Sequence, residues 1–426
     1  MIQEIKIKNF RSFKNEVTFN FEASNDTFAE DYQVVQVDEK TRLLRFAIIY
    51  GYNASGKSNL LYVFDFLNHF WTYKPDDIEE GTPSTPFKLD NVSPNERSSF
   101  ELIFFVDNTK YLYQLDLDTK EVYLEKLSYY NNDNPVMLFE RFLDNGLSVI
   151  NFGTDSNISE SVKELITVQC LKNMSFFVAR DKVNISLPLI DDARNWMKTQ
   201  IMPTIFPYTN LTSYAERKVA ENKELVQYIV KFLNEADFNI TKISSAKTNQ
   251  KIPNNIVNLM LKDEDISESV KEHIKEKGTF ETLRTIFEHT VENDTEKKAY
   301  TMSSEDESTG TLRTLGLETA LYELLNNGKS VLSVDEIETS IHPKLVEKIL
   351  FEYLKNNSRT QLIVTTHNDG LLDLVDDLIR KDSIWFTDKD ENGVTDLYKL
   401  TDFKGIEQLK SMREAYRNKR FGATMK

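Results

Sequence analysis

The chain has 426 residues, 68 acidic against 52 basic side chains and a formal net charge of −16. This length suffices for more than one domain or for one domain with a large insertion, and the acidity argues against a protein coated for indiscriminate nucleic-acid binding. A single cysteine, Cys170, excludes an internal disulfide framework, and no apolar run approaches the roughly eighteen residues of a membrane span. We therefore expect a cytoplasmic protein that contacts no membrane.

The N-terminal region predicts short strands followed by one buried strand. Residues 1–24 predict two strands around the segment 9–13, Asn-Phe-Arg-Ser-Phe, and the opening octapeptide alternates as a strand does, without the apolar centre of a signal peptide. Residues 26–40 are polar and predict a loop. The apolar run 44–50 has the length of a buried strand.

A phosphate-binding motif follows this strand. Residues 51–58 read Gly-Tyr-Asn-Ala-Ser-Gly-Lys-Ser, which fits G-x-x-x-x-G-K-[ST]. In this motif the backbone N–H groups cradle phosphates, the lysine neutralises the terminal ones, and the hydroxyl ligates Mg²⁺. Apolar residues at helical spacing in 60–70 predict a helix whose N-terminus adds its positive dipole end. We assign nucleotide binding to Asn53, Gly56, Lys57, Ser58 and Asn59, with Lys57 also catalytic.

The central region changes its periodicity twice. Residues 74–97 contain four prolines and many acidic residues and predict a surface excursion. Aromatic-rich segments separated by turn clusters between 100 and 150 predict an antiparallel β meander. From about 155 to 290 the pattern is mostly helical, and one amphipathic segment places Leu225, Ile229, Val230 and Leu233 on one face.

Two buried-type strands in the C-terminal part end in polar side chains. Residues 331–334 precede Asp335 and Glu336, and residues 361–366 precede His367. Helical segments at 312–326 and 343–356 alternate with these strands, which predicts a mainly parallel sheet covered by helices. Ligands of such sheets bind at the carboxyl ends of the strands, where these three side chains and Ser58 all fall.

These residue types suit nucleotide hydrolysis. Asp335 can support Mg²⁺ beside Ser58, and Glu336 is placed to orient or deprotonate the attacking water. His367 follows the next strand, where a γ-phosphate sensor would sit. The ordinary alternatives are a surface turn for the acidic pair and a satisfied strand-end histidine. The string 307–313, Glu-Ser-Thr-Gly-Thr-Leu-Arg, opens a helix and suits an anion, with an ordinary helix cap as its alternative.

The order of these features resembles the ABC-type ATPase heads of the SMC, RecF and OLD group. More closely, five strings are similar to bacterial AAA-family ATPases of the RloA and AbiL type, which accompany restriction and phage-defence loci. These strings lie at 307–311, 335–343, 365–367, 383–386 and 420–423. The resemblance covers roughly residues 1–150 and 285–426 with specific motifs and is loose between them.

The resemblance implies roles for individual residues. Ser308 and Gly310 match the signature motif, which in this group contacts the γ-phosphate of ATP bound to the opposite subunit. Two copies would therefore close head-to-tail around two ATP molecules with Mg²⁺. Arg11 sits where related heads place a basic residue near the phosphates. The acidic pair 335–336 matches the Walker B motif, and His367 matches the switch histidine.

Two departures from the family pattern affect this assignment. No glutamine is evident at the lobe junction, because Gln114 lies within a predicted meander strand, and the Q-loop role is left unassigned. His342 stands where SMC-type heads carry an aspartate, which favours the OLD-like and RloA-like branch.

The string 388–393 opens like a calcium loop, but Lys399 occupies its twelfth position, so we predict a hairpin turn instead.

The C-terminal segment is locally basic. Four cations fall at helical offsets on one face, namely Lys410, Arg413, Arg417 and Arg420. This face keeps DNA contact open as a hypothesis, against the plainer interpretation of a solvated or partner-facing helix.

Together these features predict an α/β fold. It is a P-loop ABC-type ATPase head with a mainly parallel sheet, flanking helices and an antiparallel β meander, interrupted by a mostly helical insertion. We place an N-terminal lobe at 1–154, the insertion at 155–290 and a C-terminal lobe at 291–426. The predicted function is ATP hydrolysis in a head-to-tail dimer that controls a separately encoded effector, such as a nuclease, in anti-phage defence. The alternatives are a DNA-repair or DNA-end-binding ATPase and a non-hydrolysing scaffold that sequesters a toxic effector.

Overall fold

A computed structural model describes residues 1–153, 158–236, 238–251, 254–262, 271–272, 274–275, 278–293, 296–326, 328 and 330–424. The strands are β1 (Ile2–Lys8), β2 (Val17–Asn20), β3 (Val34–Gln36), β4 (Arg42–Leu44), β5 (Phe46–Tyr50), β6 (Ser98–Val106), β7 (Thr109–Leu117), β8 (Val122–Asn131), β9 (Asn134–Asp144), β10 (Leu147–Phe152), β11 (Ile240–Lys251), β12 (Thr279–Asn293), β13 (Glu296–Ser303), β14 (Val331–Val334), β15 (Gln361–Thr366), β16 (Ile384–Lys389) and β17 (Thr395–Lys399).

The helices are α1 (Glu30–Gln33), α2 (Lys57–Thr72), α3 (Glu160–Gln169), α4 (Phe176–Arg180), α5 (Pro188–Thr199), α6 (Thr212–Glu221), α7 (Lys223–Glu235), α8 (Asn254–Met260), α9 (Thr309–Asn326), α10 (Pro343–Leu354) and α11 (Met412–Arg417). Short 3₁₀ helices lie at Ser93–Asn95, Asp369–Leu374, Lys381–Ser383, Leu400–Asp402 and Ile406–Gln408. Within the residues described, no helix is both long and apolar enough to cross a membrane.

The chain divides into two compact units. The first comprises Met1–Pro207, Glu323–Thr339 and Ile349–Lys426, and the second comprises Tyr208–Tyr322 and Ser340–Lys348. The lobe boundary predicted between residues 154 and 155 lies outside the described residues, and the one between 290 and 291 falls within β12. The division into two lobes and an insertion stays a prediction.

The first unit contains a five-stranded, mainly parallel sheet. Its order is β14-β15-β5-β16-β17; the first four strands run parallel to one another, and β17 is antiparallel to β16. Every residue of β5, β14 and β15 is buried, as expected for strands covered on both faces. The predicted parallel sheet, including the β16–β17 hairpin, is confirmed.

The same unit contains a seven-stranded antiparallel sheet of order β10-β9-β8-β7-β6-β1-β2. The N-terminal hairpin therefore extends the predicted meander, because β1 pairs with β6. Helix α2 packs against this sheet through aromatic rings: Phe66 lies 5.2 Å from Phe10 and 4.9 Å from Phe100 between ring centres. The predicted α/β fold class is confirmed.

Two segments predicted as loops have more structure than their polarity indicates. Residues 26–40 contain α1 and β3, and β3 pairs with β4. The excursion 74–97 is pinned by Asn9, whose amide donates to the Ser93 carbonyl (2.8 Å) and accepts from the Phe87 N–H (3.1 Å). Backbone groups of the first loop are thus satisfied by the neighbouring strand β4 and those of the second by the distant Asn9, which the polarity of the two segments does not reveal.

The second unit contains a sheet that the sequence did not predict. Strands β11, β12 and β13 form an antiparallel sheet within and just after the region predicted to be mostly helical. Seven of the eight β13 residues are exposed, so the strand lacks the apolar alternation that predicts strands. The amphipathic helix is present as α7, where Leu225, Ile229 and Leu233 are buried, but Phe232 rather than Val230 is the fourth buried residue.

Candidate functional site

A cavity of about 320 Å³ lies at the carboxyl edge of the parallel sheet. Four strand ends contribute to it in the order of the sheet: β14 leads to Glu336, β15 to His367, β5 to the glycine loop, and β16 ends in Lys389. The lining residues are Asn53, Ala54, Ser55, Gly56, Lys57, Ser58, Asn59, Glu336, His367 and Lys389. The structure therefore brings the predicted loop, one carboxylate of the predicted acidic pair and the predicted histidine together in one cavity.

The loop between β5 and α2 is strongly bent. Ala54 and Gly56 both have positive φ, 65° and 116°, and helix α2 begins directly afterwards at Lys57. A Cβ atom on Gly56 would lie 2.4 Å from Thr395 Oγ1, so glycine is required there by backbone conformation and by space. The chain therefore presents the N-terminus of a 16-residue helix to the cavity, which favours an anion.

The Lys57 side chain folds back over this loop. Its Nζ donates hydrogen bonds to the carbonyls of Gly51 (2.8 Å) and Tyr52 (3.2 Å) and lies 3.4 Å from His367 Nδ1. Burial lowers the pKa of the Lys57 ammonium to about 8, and nearby carboxylates, Asp335 first among them, act in the opposite direction. A phosphate chain in the cavity would supply further negative charge and favour the charged ammonium.

The acidic pair is held by a threonine of the neighbouring strand. Thr365 Oγ1 donates to Asp335 Oδ1 (2.6 Å) and accepts the N–H of Glu336 (2.8 Å). Glu336 has a φ of 47°, so its backbone turns immediately after the buried Asp335. Glu336 Oε1 then lies 3.1 Å from His367 Nε2, which places the carboxylate and the imidazole side by side in the cavity wall.

Glu338 forms hydrogen bonds with the segment that carries His367. Its Oε1 accepts the backbone N–H of His367 (2.5 Å) and its Oε2 accepts the hydroxyl of Thr366 (2.9 Å). Glu338 lies within the string 335–343 that carries the family resemblance, but the sequence assigned it no role. The only signal was its position two residues after Glu336.

The β16–β17 hairpin braces the other side of the loop. Ser55 Oγ lies 2.7 Å from Thr387 Oγ1, and Thr395 Oγ1 donates to the Ser55 carbonyl (2.8 Å). The Tyr52 hydroxyl donates to the Lys389 carbonyl (2.9 Å). The sequence predicted the hairpin but not these contacts, because nothing in a two-residue alternation shows which other loop a strand will face.

Two predicted nucleotide ligands have other contacts in the first unit. Arg11 is not among the described residues that line the cavity. Its guanidinium lies 3.8 Å from the ring centre of Tyr62, and its backbone N–H donates to the Thr85 carbonyl (2.8 Å). Cation–π stacking on α2 accounts for this position. Asn59 does line the cavity, and its side-chain amide donates to Ser12 Oγ (2.7 Å).

The predicted signature residues belong to the second unit and do not line this cavity. Ser308 precedes α9, and its Oγ accepts the N–H of Thr311 (3.0 Å), which is the geometry of a helix cap. A Cβ atom on Gly310 would lie 2.9 Å from the Ser340 carbonyl. The preceding Glu307 is hydrogen-bonded to His289 Nε2 (2.5 Å).

The basic C-terminal face is shorter than the helical spacing indicates, and two of its arginines form ion pairs within the chain. Helix α11 covers only Met412–Arg417, so Lys410 and Arg420 lie outside it. Arg413 pairs with Asp369 (3.0 Å) and Asp373 (2.8 Å), and Arg417 pairs with Asp369. Two of the four predicted cations are therefore neutralised by carboxylates within the first unit.

The donor chemistry at the loop fits Mg²⁺. Ser58 offers a hydroxyl and Asp335 a carboxylate, both hard oxygen ligands, and Thr365 occupies only one oxygen of Asp335. No group of three His, Cys, Asp or Glu side chains suited to a metal occurs in the part of the chain that the structure describes. A cation at Ser58 and Asp335 would therefore complete its coordination with nucleotide oxygens and water.

Comparisons with known proteins place the chain in a family. It matches the family model described as "AAA domain, putative AbiEii toxin, Type IV TA system" over residues 46–149 and 216–373. It is 22% identical over 401 residues to an ATP/GTP phosphatase of Helicobacter pylori, covering 89% of each chain.

Solved structures of SMC heads are also similar. The SMC head domain from Thermotoga maritima shares 14% identity with a TM-score of 0.43, covering 93% of this chain and 98% of that one. An SMC head bound to the C-terminal winged-helix domain of ScpA shares 11% identity with a TM-score of 0.42, covering 94% and 99%. The family match, by contrast, extends over more than half of the residues. The chain belongs to this AAA-domain family and is an ATPase.

Proposed function

We propose that the cavity after β5 binds ATP with Mg²⁺ and that Lys57, Glu336 and His367 carry out its hydrolysis. The observation that carries this proposal is the convergence of a lysine, a carboxylate and an imidazole from three adjacent strand ends on one phosphate-binding loop. The N–H groups of the loop, with Asn53, Gly56, Ser58 and Asn59, would hold the phosphates.

Each proposed catalytic residue has a task that follows from its contacts. Glu336 would orient and deprotonate the attacking water, since its carboxylate lines the cavity. His367 lies between Glu336 (3.1 Å) and Lys57 (3.4 Å). From this position its imidazole would contact the γ-phosphate, on which Glu336 and Lys57 would also act. Ser58 and Asp335 would hold Mg²⁺, which would supply positive charge next to the phosphate oxygens.

We further propose that a second copy of the chain completes the site with Ser308 and Gly310. Ser308 is exposed and stands at the N-terminus of α9, an 18-residue helix whose dipole favours an anion. ATP would then make contacts in the closed dimer that ADP lacks, which is the differential affinity that a conformational switch requires.

The proposed biological output is control of a separately encoded effector, such as a nuclease, in anti-phage defence. The family description, which names a toxin of a toxin–antitoxin system, is compatible with this role. The alternative of a DNA-repair or DNA-end-binding ATPase loses support from the pairing of Arg413 and Arg417 with carboxylates. The scaffold alternative conflicts with the ATPase assignment, because it requires ATP binding without release of phosphate.

Substitution of Glu336 tests the catalytic assignment. Glu336→Gln should bind ATP, lose at least about a hundredfold in turnover and accumulate as a dimer on a sizing column with light scattering. The matched control is Glu391→Gln, at an exposed turn of the β16–β17 hairpin. Unchanged turnover in Glu336→Gln would refute the assignment of Glu336, and wild-type protein that binds ATP without releasing phosphate would support the scaffold alternative.

A mixing experiment tests the composite site. Lys57→Ala and Ser308→Arg should each be inactive alone, whereas a mixture should recover activity because one of the two sites in a mixed dimer joins an intact loop to an intact signature. Melting temperatures of both variants control for folding, because Ser308 also caps α9. A mixture that stays inactive, from two folded variants, rejects the shared site and leaves the ATPase proposal standing.

Phosphate release should be measured with ATP and with GTP, because the relative of Helicobacter pylori is named for both nucleotides. Repeating the assay with DNA tests the repair alternative. Co-purification of an effector with the ATP-locked Glu336→Gln protein, and its loss in Lys57→Ala, tests the partner proposal. A partner that binds both variants equally would contradict control by ATP.

A further inference from the structure

Lys389 is a second lysine in the wall of the nucleotide cavity. It is the last residue of β16, which pairs with β5 on the side opposite to β15. Glu336 and His367 follow the strands on the β15 side, so the order along the sheet edge places the loop between these two residues and Lys389. One end of the cavity therefore carries Glu336 and His367, and the other end, across the loop, carries Lys389.

The backbone of Lys389 is fixed to the loop itself. The Tyr52 hydroxyl donates to the Lys389 carbonyl (2.9 Å) and accepts the Lys389 N–H (3.2 Å). Two residues earlier in β16, Thr387 is hydrogen-bonded to Ser55 (2.7 Å). These contacts fix the separation of the lysine backbone from the loop, so the side chain starts from a defined position at the cavity wall.

The ammonium of Lys389 is not paired with a carboxylate in the part of the chain that the structure describes. This residue is nevertheless half-buried and is one of those that line the cavity. In contrast, Lys381, in the 3₁₀ helix just before β16, pairs with Asp376. A half-buried cation facing a phosphate-binding loop is suited to an anionic ligand.

We propose that Lys389 binds the α- and β-phosphates of the nucleotide, the part that ATP and ADP share. This inference rests on the proposed function. Glu336 and His367 require the γ-phosphate at their end of the cavity, and a phosphate chain lying along the loop then directs its α-phosphate toward the opposite end, where Lys389 stands. Lys389 therefore contributes to affinity for both nucleotides and does not distinguish between them.

Nucleotide affinities of lysine variants test this assignment. Dissociation constants for ATP and ADP with Mg²⁺ are measured by calorimetry in the Glu336→Gln background, so that ATP is not consumed. Lys389→Ala should weaken both nucleotides by a similar factor of about ten, the loss expected for one hydrogen bond to a charged group at a half-exposed site. Lys389→Arg should retain most of the affinity, and Lys410→Ala, at an exposed position, should change neither value.

The outcomes separate this inference from the proposed function. Unchanged affinities in Lys389→Ala overturn the inference, and so does a loss confined to ATP, which would place Lys389 at the γ-phosphate. Absence of nucleotide binding in the parent protein refutes both the inference and the proposed function. Folding is checked by thermal melting, and the hydrogen bonds to Tyr52 involve only the backbone of Lys389, so they remain in every variant.

Discussion

Thr365, on β15, donates a hydrogen bond of 2.6 Å to Asp335, which follows the adjacent strand β14. The same hydroxyl accepts the N–H of Glu336 (2.8 Å), so one side chain holds the carboxylate of Asp335 and the backbone of Glu336. A hydroxyl that both donates and accepts is needed for this arrangement. Thr365 is therefore a positioning residue for the proposed hydrolysis.

Thr365→Val should lower turnover by about tenfold or more, because the backbone of Glu336 loses its acceptor and Asp335 loses a hydrogen bond worth about 1–3 kcal/mol when buried. ATP affinity should change little, since the loop contacts remain. Thr365→Ser keeps the hydroxyl and should retain most of the activity. Phosphate release and nucleotide binding are measured for both variants; wild-type turnover in Thr365→Val would contradict the positioning role.

Glu338 should act through His367. Its carboxylate accepts the His367 backbone N–H and the Thr366 hydroxyl, so Glu338→Ala frees the segment that carries the imidazole. We expect turnover to fall by about tenfold. The effect should disappear in a His367→Ala background, because two residues that act as one unit are not additive.

Glu352→Ala, at an exposed position of α10, is the matched control. Turnover is measured at saturating ATP for the two single variants, the double variant and the control. Full additivity of the two substitutions would show that Glu338 acts independently of the histidine.

A buried ion pair should matter for stability rather than for catalysis. Glu125 and Arg141, on neighbouring meander strands, are fully buried and lie 3.4 Å apart. Glu125 also accepts from Ser175 Oγ (2.6 Å), and Arg141 donates to the Met174 carbonyl (2.7 Å), so the pair ties the meander to the segment before α4.

Arg141→Met should cost about 3–5 kcal/mol of unfolding free energy, because it leaves the Glu125 carboxylate buried without its counter-charge. The double variant Glu125→Gln/Arg141→Met should cost less than Arg141→Met alone. Urea denaturation followed by circular dichroism measures both values. A larger loss in the double variant would show that the hydrogen bonds of Glu125, not its charge, dominate the stability of this region.

The site was predictable to the extent that its residues follow strands within short motifs. Lys57 and Ser58 are specified by one octapeptide, and the acidic pair 335–336 and His367 follow two short segments that predict buried strands. The parallel order of the strands then brings their carboxyl ends to one edge, which a general rule for α/β sheets anticipates. At these positions the local sequence pattern and the fold agree, so the residues that line the cavity could be predicted.

The remaining features depend on contacts between distant segments. Thr387, Lys389 and Thr395 face the loop because β16 pairs with β5, a register that no local pattern specifies. Strands β11 to β13 include an exposed strand, β13, with no apolar face that would reveal its period. The helical face of four cations is only partly present, because helical spacing counts the cations but shows neither where the helix ends nor the carboxylates opposite Arg413 and Arg417.

The C-terminal arginines provide the last prediction, since their partners lie next to the proposed site. Asp369, two residues after His367, accepts from both Arg413 and Arg417, and these pairs hold α11 against the turn that follows β15. The double reversal Arg413→Glu/Arg417→Glu should therefore reduce ATP turnover several-fold by repelling Asp369. Any change in DNA affinity should not exceed that of the control Lys223→Glu/Lys231→Glu, at two exposed positions of α7 outside the basic face.

The charge-swapped variant Asp369→Lys/Arg413→Glu/Arg417→Glu should recover part of the lost turnover, because opposite charges again face each other. Turnover, melting temperature and binding to a labelled DNA duplex at fixed salt are measured for the reversed, swapped and control proteins. Loss of DNA binding in the reversed protein, with unchanged turnover and with the control still binding DNA, would instead show that the basic face serves DNA and would restore the repair alternative. The experiment thus decides whether Arg413 and Arg417 hold the segment after His367 through Asp369 or bind DNA, because only the ion pairs with Asp369 couple these arginines to hydrolysis.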